Sequence, residues 1–228
     1  MAEGIEGLLL VDKPAGVTSH DAVLLARRVY GERSIGHLGT LDPFATGLLV
    51  LLLGRSTRLA TFIDNDPKVY VATIRFGSET TTDDCTGEVT REAPPPAAVA
   101  IHDALPSLTG QILQIPPDFS AKSVNGTRAY DAARRGEPLE LAPANVIVHE
   151  WLIEREGGNE IVVRITCAGG TYIRALARDL GRAAGSAAHL TALRRCRSGP
   201  FDVADAATFD VLRTSPPALT PLKVIPGA

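Results

Sequence analysis

The chain has 228 residues, of which 45% are hydrophobic, so it is long enough to bury a core without disulfide or metal staples. No basic segment precedes an apolar run at the N-terminus, and the most apolar stretch, Leu48–Leu53, is too short to cross a bilayer. We therefore expect a cytoplasmic protein without a signal peptide or membrane span. Cys85, Cys167 and Cys196 lack the spacing of a disulfide framework or of a zinc site.

The charges are unevenly distributed along the chain, whose formal net charge is -3. Seven arginines between Arg164 and Arg197 accompany one acid, Asp179, whereas seven acids and three bases lie between Asp64 and Glu92. A nucleic-acid partner normally requires surplus Lys and Arg. The arginine-rich segment is compatible with a basic face that contacts phosphates and equally with scattered surface ion pairs.

The predicted elements begin with a buried strand, Leu8–Val11, followed by an amphipathic helix, Asp21–Tyr30. A hydroxyl at Thr18 or Ser19 is a typical N-cap, and Gly31 is a typical helix end. The apolar run 48–53 indicates a buried strand or a short helix that ends at Gly54. Alternation of side chains over 69–76 predicts a second strand.

The second half of the chain mixes helices and strands. Three consecutive prolines precede a helical pattern over 97–108, and further helices are predicted over 128–136 and 172–184. Strands 146–155 and 160–167 form a predicted hairpin around Gly157-Gly158-Asn159. This mixed order predicts an α+β fold with a mixed, largely antiparallel central sheet flanked by helices.

The segment Gly36–Gly47 concentrates three glycines, a histidine, an aspartate and a proline between apolar runs. Glycines and proline can hold the Asp42 carboxylate rigidly at the edge of a core, which makes Asp42 a candidate nucleophile or base, although Asp-Pro is also a common start of a turn. A phosphate-binding loop is excluded, since Arg55 stands where such a loop has lysine. A D-x-D phosphotransferase motif is excluded by Phe44, and the five histidines show no ligand spacing.

The segment 36–49 resembles the signature of the TruB-type pseudouridine synthases, in which the aspartate of a G-x-L-D-P-x-A-T-G loop is catalytic. Segments 9–19, 66–70 and 169–174 resemble the N-terminal, tyrosine and arginine motifs of that family, so the resemblance covers about residues 7–201. It implies a pseudouridine-synthase catalytic fold over residues 1–228, with an insert at about 111–145. We expect no C-terminal RNA-binding domain of the PUA type.

The resemblance also implies roles for single residues. It makes Asp42 the catalytic nucleophile, pairs it with Arg174 and stacks Tyr70 on the target uracil. His37 is implied to help displace the target base, and Leu193 to form an apolar wall of the pocket. Four further residues belong to the matching motifs and are expected to be structural: Lys13, Pro14, Gly39 and Gly47.

The insert resembles the segment with which bacterial members hold tRNA, and its candidate RNA-binding residues are Lys122, Arg128, Tyr130, Arg134 and Arg135. The implied activity is isomerisation of uridine 55 in the T-arm (TΨC loop) of tRNA by base flipping, in a monomer that needs no metal, other cofactor or protein partner. Alternatives are a synthase for another RNA and an RNA-binding tRNA-folding chaperone. Attack on C1′, attack on uracil C6 and a glycal route all remain open.

Overall fold

The computed structural model describes residues 5–120, 122–124, 126–137 and 139–222. The two ends of the chain, where we expect neither a signal peptide nor a PUA-type domain, lie outside the described residues. So do Ala121, Asn125 and Pro138 of the predicted insert. In the described part, no helix is long and apolar enough to span a membrane.

Helices and strands alternate irregularly along the chain, which confirms the predicted α+β class. In chain order the elements are β1 Gly7–Lys13, α1 Ser19–Tyr30, β2 Ile35–Leu38, β3 Thr46–Leu53, β4 Lys68–Phe76, β5 Ser78–Thr80, β6 Val89–Glu92, α2 Ala98–Ala104, β7 Gly110–Gln114, β8 Ser123–Val124, β9 Thr127–Arg128, α3 Ala129–Arg134, β10 Ala144–Gly157, β11 Glu160–Cys167, α4 Ile173–Ala183, β12 Ala188–Ser198, β13 Phe201–Asp202, β14 Ala207–Thr208 and α5 Phe209–Thr214.

The chain divides into two compact units. The first contains the described residues up to Tyr70 and from Leu193 onward. Its strands lie in the order β14, β1, β3, β12, with β2 also paired to β3. The pairs of β1 and β2 with β3 are antiparallel, whereas β14 with β1 and β12 with β3 are parallel. The sheet is therefore mixed, as predicted.

The second unit is Val71–Ala192. Here β4, β11, β10 and β7 lie side by side in that order. The β10–β11 pair is the predicted hairpin, and β7 is antiparallel to β10. The pairs β5–β6 and β8–β9 are separate two-stranded ribbons.

Strand β3 forms the centre of the first unit. Each residue from Leu48 to Leu53 is at most 1% exposed. An uninterrupted apolar run suits a strand that is covered on both faces, and the pairing with β1 and β2 makes the segment a strand and not a short helix. Leu48, Val50 and Leu52 pack in one cluster with Leu8 of β1.

Helix α1 begins with a capping box, as the hydroxyl residues at its start suggested. The Thr18 hydroxyl accepts a hydrogen bond from the Asp21 backbone N–H at 3.1 Å, and the Asp21 carboxylate accepts one from the Thr18 backbone N–H at 2.7 Å. Gly31 ends the helix in the left-handed conformation with φ 67°. The structure thus selects Thr18 as the N-cap.

Three parts of the fold differ from expectation. The helical pattern over 97–108 ends as an α-helix at Ala104 and continues as a 3-10 helix, Leu105–Leu108, where Pro106 lacks a backbone donor. Residues 36–38 form part of β2 and not of a loop. Strand β12 was not predicted, because the buried position at Arg195 breaks the apolar alternation that would reveal it.

Candidate active site

The loop that carries Asp42 connects β2 to β3 and is fastened to the start of helix α1. The buried Ser19 hydroxyl donates to the Leu41 carbonyl oxygen at 3.1 Å and accepts from the Leu41 backbone N–H at 2.9 Å. Both polar groups of the residue before Asp42 are therefore held by one side chain. Asp42 itself is half-buried.

The residue after Asp42 is held from the other side. The Pro43 carbonyl oxygen accepts from the Gly16 backbone N–H at 2.8 Å and from Lys13 Nζ at 3.4 Å. Lys13 is completely buried and donates further to the carbonyl oxygens of Pro14 and Val17. The predicted structural residues Lys13 and Pro14 thus lie beside the loop, as a supporting role requires.

Gly47 lies between two buried cations in neighbouring strands. It is opposite Lys13 of β1 and opposite Arg195 of β12 in the strand register. Arg195 is 1% exposed and donates to the Leu48 carbonyl oxygen at 2.7 Å and to the Gly39 carbonyl oxygen at 3.0 Å. Arg195 therefore connects the start of the Asp42 loop to β3.

These charges determine the electrostatics of the loop. Burial lowers the pKa of Lys13 to about 8, although the nearby Asp42 carboxylate opposes that shift. Burial also lowers the pKa of His37, and the charge of Arg195 adds to this effect. His37 is consequently neutral near pH 7. Among the described residues, no hydrogen-bond partner is present for its buried Nδ1 atom.

Tyr70 and Leu193 are buried strand residues of the same unit. Tyr70 lies in β4 and is 7% exposed, on the strand face that it shares with Lys68 and Ala72. Leu193 lies in β12, also 7% exposed, two residues before Arg195 and so on the same strand face. Their implied roles, stacking on uracil and lining the pocket, stay predictions.

Arg174 belongs to the second unit, where it is the second residue of α4 and only 4% exposed. Its guanidinium donates to the carbonyl oxygens of Thr82 and Phe119, each at 2.9 Å, and its Nε lies 3.8 Å from an Asp84 carboxylate oxygen. Asp42 is in the first unit, so the ion pair between Asp42 and Arg174 stays a prediction.

The arginine-rich segment does not present a row of free cations, and ion pairs describe it better than a basic face does. Its arginines lie within 4 Å of a carboxylate, with the exception of Arg195, which donates to backbone carbonyl oxygens. The pairs are Arg164–Glu154, Arg174–Asp84, Arg178–Asp83, Arg182–Glu79, Arg194–Asp12 and Arg197–Asp202. The acid-rich segment supplies three of these partners, so the two opposite charge excesses compensate each other.

The candidate RNA-binding residues of the insert lie on and around α3. Tyr130 is 39% exposed, and the Arg134 guanidinium lies 4.6 Å from the centroid of its ring. The rings of Phe119 and Tyr130 meet edge-on, with ring centroids 5.9 Å apart. Lys122, Arg128 and Arg135 are exposed. The structure therefore brings Tyr130 and Arg134 together.

Arg195, Asp84 and Ser19 complete the surroundings of the predicted residues but were not predicted as site residues. Arg195 stands in the Leu-Arg-Arg segment, where the resemblance points to Leu193 alone. Asp84 is one of seven acids between Asp64 and Glu92, and the position of Ser19 in the sequence indicates only a helix cap. In the described ranges, no group of three or more His, Cys, Asp or Glu side chains is placed to hold a metal ion.

Comparison with known proteins identifies the family. The model of the "TruB family pseudouridylate synthase (N terminal domain)" matches residues 27–173, and that of the "tRNA pseudouridylate synthase B C-terminal domain" matches 174–215. A protein of Thermobifida fusca named tRNA pseudouridine synthase B is 49% identical over 91% of this chain and 74% of its own length. A protein of the same name from Arthrobacter is 48% identical over 91% of this chain and 71% of its own length.

Solved structures show the same fold. A chain from a Cbf5-Nop10-Gar1 complex matches with a TM-score of 0.70 and 27% identity over 91% of this chain. A chain from an archaeal box H/ACA sRNP Nop10-Cbf5 complex matches with a TM-score of 0.66 and 28% identity. This chain spans about half the length of those chains, 54% and 52%. On the strength of the family models and the curated relatives, the chain belongs to the TruB family of pseudouridylate synthases.

Proposed function

We propose that this chain isomerises uridine to pseudouridine at position 55 in the T-arm of tRNA. Family membership and the names of its relatives support the reaction and the tRNA substrate. The observation that carries the proposal is the Asp42 loop, whose peptide groups on either side of the carboxylate are held by Ser19, Gly16 and Lys13. Such a loop limits the positions that the carboxylate can take.

The reaction breaks the bond from ribose C1′ to uracil N1 and forms a bond from C1′ to C5, so that C5 loses a proton and N1 gains one. Asp42 is the nucleophile in this proposal, and it attacks C1′ or the uracil ring or promotes a glycal. Lys13 attracts its negative charge. A carboxylate that is already oriented loses little entropy when the base arrives, which favours turnover.

The target base must leave the folded T-loop before it can react. We propose that neutral His37 helps to displace it and that Tyr70 stacks on it, as aromatic rings do on unstacked bases. The insert would hold the RNA through exposed Lys122, Arg128 and Tyr130 and through Arg134, which contacts the Tyr130 ring. The chain acts as a monomer without a protein partner in this proposal.

The test of the chemistry is to incubate the purified chain with unmodified tRNA and to measure release of tritium from C5 of uridine. Asp42→Asn should abolish release while RNA affinity stays within about threefold of the unchanged chain, since size and hydrogen bonding are retained. Asp103→Asn, which changes an exposed acid on α2, is the matched control and should retain full activity. Appreciable turnover by Asp42→Asn would place the nucleophile elsewhere.

The test of the substrate compares whole tRNA, an isolated T-arm hairpin and ribosomal RNA. We expect modification of one uridine in the first two, because the hairpin supplies both the loop shape and the base to be extruded. Modification of ribosomal RNA alone would refute the tRNA assignment. RNA binding and refolding without any isomerisation would support the chaperone alternative.

A further inference from the structure

Helix α4 carries three arginines one turn apart, all directed at the segment 79–84 of the same unit. Side chains four residues apart share one face of a helix, and like charges there repel each other. Each arginine meets a different acid, which offsets the repulsion. The pairs are Arg174–Asp84, Arg178–Asp83 and Arg182–Glu79.

Arg178 repeats, one turn later, the contacts that Arg174 makes. Its Nη1 donates to the Asp83 carboxylate and its Nη2 to the Ile115 carbonyl oxygen, each at 2.8 Å. The carbonyl acceptors of Arg174 are Thr82 and Phe119. Asp83 directly follows Thr82, and Ile115 lies four residues before Phe119. The two guanidinium groups thus bridge the same two stretches of chain, 82–83 and 115–119.

Asp83 is held in an unusual backbone conformation. Among the described residues it is the only non-glycine with a positive φ, 58°, and it is 7% exposed. Its backbone N–H donates to the Thr80 carbonyl at 3.2 Å, and its carbonyl accepts from the Leu190 N–H at 3.1 Å. A strained residue persists only where its surroundings fix it, and its carboxylate contributes by binding Arg178.

We infer that Arg178 and Asp83 are positioning residues that keep the carbonyl acceptors of Arg174 in place. The inference rests on the proposed function and on the predicted ion pair between Arg174 and Asp42. A guanidinium whose acceptors move is displaced with them, and a displacement of about 1 Å can lower turnover roughly 100-fold. Arg178 acts through Arg174 and has no contact with the reacting atoms in this scheme.

The kinetic test uses Arg178→Lys, which keeps the charge but loses the fork that reaches several acceptors. The single-turnover rate of pseudouridine formation should fall about tenfold while the Kd for tRNA stays within about twofold. Arg182→Gln is the matched control, because Arg182 binds the same segment but shares no acceptor stretch with Arg174. Glu79 would still have an ion-pair partner in that variant, since Arg91 lies 2.7 Å from its carboxylate. Its rate should stay within about twofold.

The pH profile of Asp83→Asn separates positioning from loss of structure. Burial raises the pKa of Asp83 to about 6. The positive charges of Arg178, Arg174 and Arg182 lower this pKa, and the negative charge of Asp179 raises it. Asparagine tolerates a positive φ and has the shape of a protonated aspartate. The unchanged chain should therefore be faster than Asp83→Asn at pH 7.5 and converge on it below about pH 6. Parallel profiles would contradict the inference.

A measurement without RNA keeps this inference independent of the proposed function. In ¹⁵N-labelled protein, the Arg174 Nε–H signal should shift and exchange faster in Arg178→Lys than in the unchanged chain, and Arg182→Gln should leave it in place. An unchanged Arg174 signal, or an unchanged rate in an active enzyme, would overturn the inference. If the unchanged chain modified no RNA while the signal moved as expected, the proposed function would fail and the positioning would stand.

Discussion

Gly47 is a position where the absence of a side chain is required by its neighbours. Its φ is 101°, and a Cβ atom there would overlap the Arg195 carbonyl oxygen and lie 2.9 Å from the Arg195 backbone nitrogen. Strand β12 would have to move away from β3 to accept it. The glycine of the family signature is thus explained by the close approach of two parallel strands.

We predict that Gly47→Ala lowers the free energy of unfolding by more than the roughly 1–3 kcal/mol of a strained φ alone. Gly16→Ala is the matched control, since Gly16 has φ 82° but no atom within 4 Å of a built Cβ. Urea unfolding of both variants measures the difference, which isolates the steric overlap. Equal losses in the two variants would show that β12 adapts without cost.

The lowered pKa of Lys13 predicts that the stability of the chain depends on pH in the alkaline range. Its pKa is lowered from 10.5 to about 8 in the folded chain, so between these values the unfolded chain binds more protons. Stability contributed by this group therefore rises as pH increases from 8 to 10.5. The free energy of unfolding of the unchanged chain, minus that of Lys13→Met, should increase over pH 8–10. A constant difference would show that Lys13 keeps its ordinary pKa.

At the scale of elements, helix α1 covers the sheet and also holds the loop that carries Asp42. Thr18 caps the helix, whereas the adjacent Ser19 binds both backbone polar groups of Leu41. Two neighbouring hydroxyl residues therefore have separable tasks, one confined to the helix and one directed at the residue before Asp42.

Ser19→Ala should leave the Leu41 N–H and carbonyl without this partner, which costs about 1–3 kcal/mol of stability and loosens the loop. We expect the turnover number to fall roughly tenfold. Thr18→Ala removes the cap, costs about 1 kcal/mol and should leave turnover within about twofold. The pair is compared by tritium release and thermal unfolding. Equal turnover in both variants would refute a role of α1 in holding the loop.

The elements show which information the sequence carries. Periodicity and caps suffice to predict α1, β4 and the β10–β11 hairpin, because each of these elements has its own local sequence pattern. Strand β12 was missed because the buried Arg195 is stabilised by backbone acceptors on β3 and by no apolar alternation of its own. Partners that are 147 residues apart in the chain leave no local signal.

The same reason limits prediction of the site. Asp42 stands out from the glycines and proline around it, but the family resemblance was needed to choose it over a turn. Ser19 and Arg195 contribute through contacts with Leu41, Leu48 and Gly39, which only the folded chain assembles. Local motifs indicate which residue reacts, and tertiary contacts determine how it is held.

At the scale of the whole molecule, charge compensation decides how the chain can hold a polyanion. The chain is acidic overall, and six arginines of the segment 164–197 already face carboxylates. A paired arginine displaces few counterions when RNA binds, because its charge is already compensated. We therefore expect the exposed bases of the insert to dominate the phosphate contacts.

Salt dependence tests this expectation. The logarithm of tRNA affinity should fall linearly with the logarithm of salt concentration, and Arg128→Gln with Arg134→Gln should flatten the slope by about two units, roughly one for each phosphate contact. Arg75→Gln with Arg164→Gln is the matched control, because these arginines are paired with Glu160 and Glu154.

We expect the control to change the slope by less than about half a unit, since neutralising a compensated charge releases few additional counterions. Neither pair should alter which uridine is modified, because phosphate contacts position the RNA without reading its bases. A control that flattened the slope as much as the insert variant would show that paired arginines exchange their carboxylate partners for phosphates when tRNA binds.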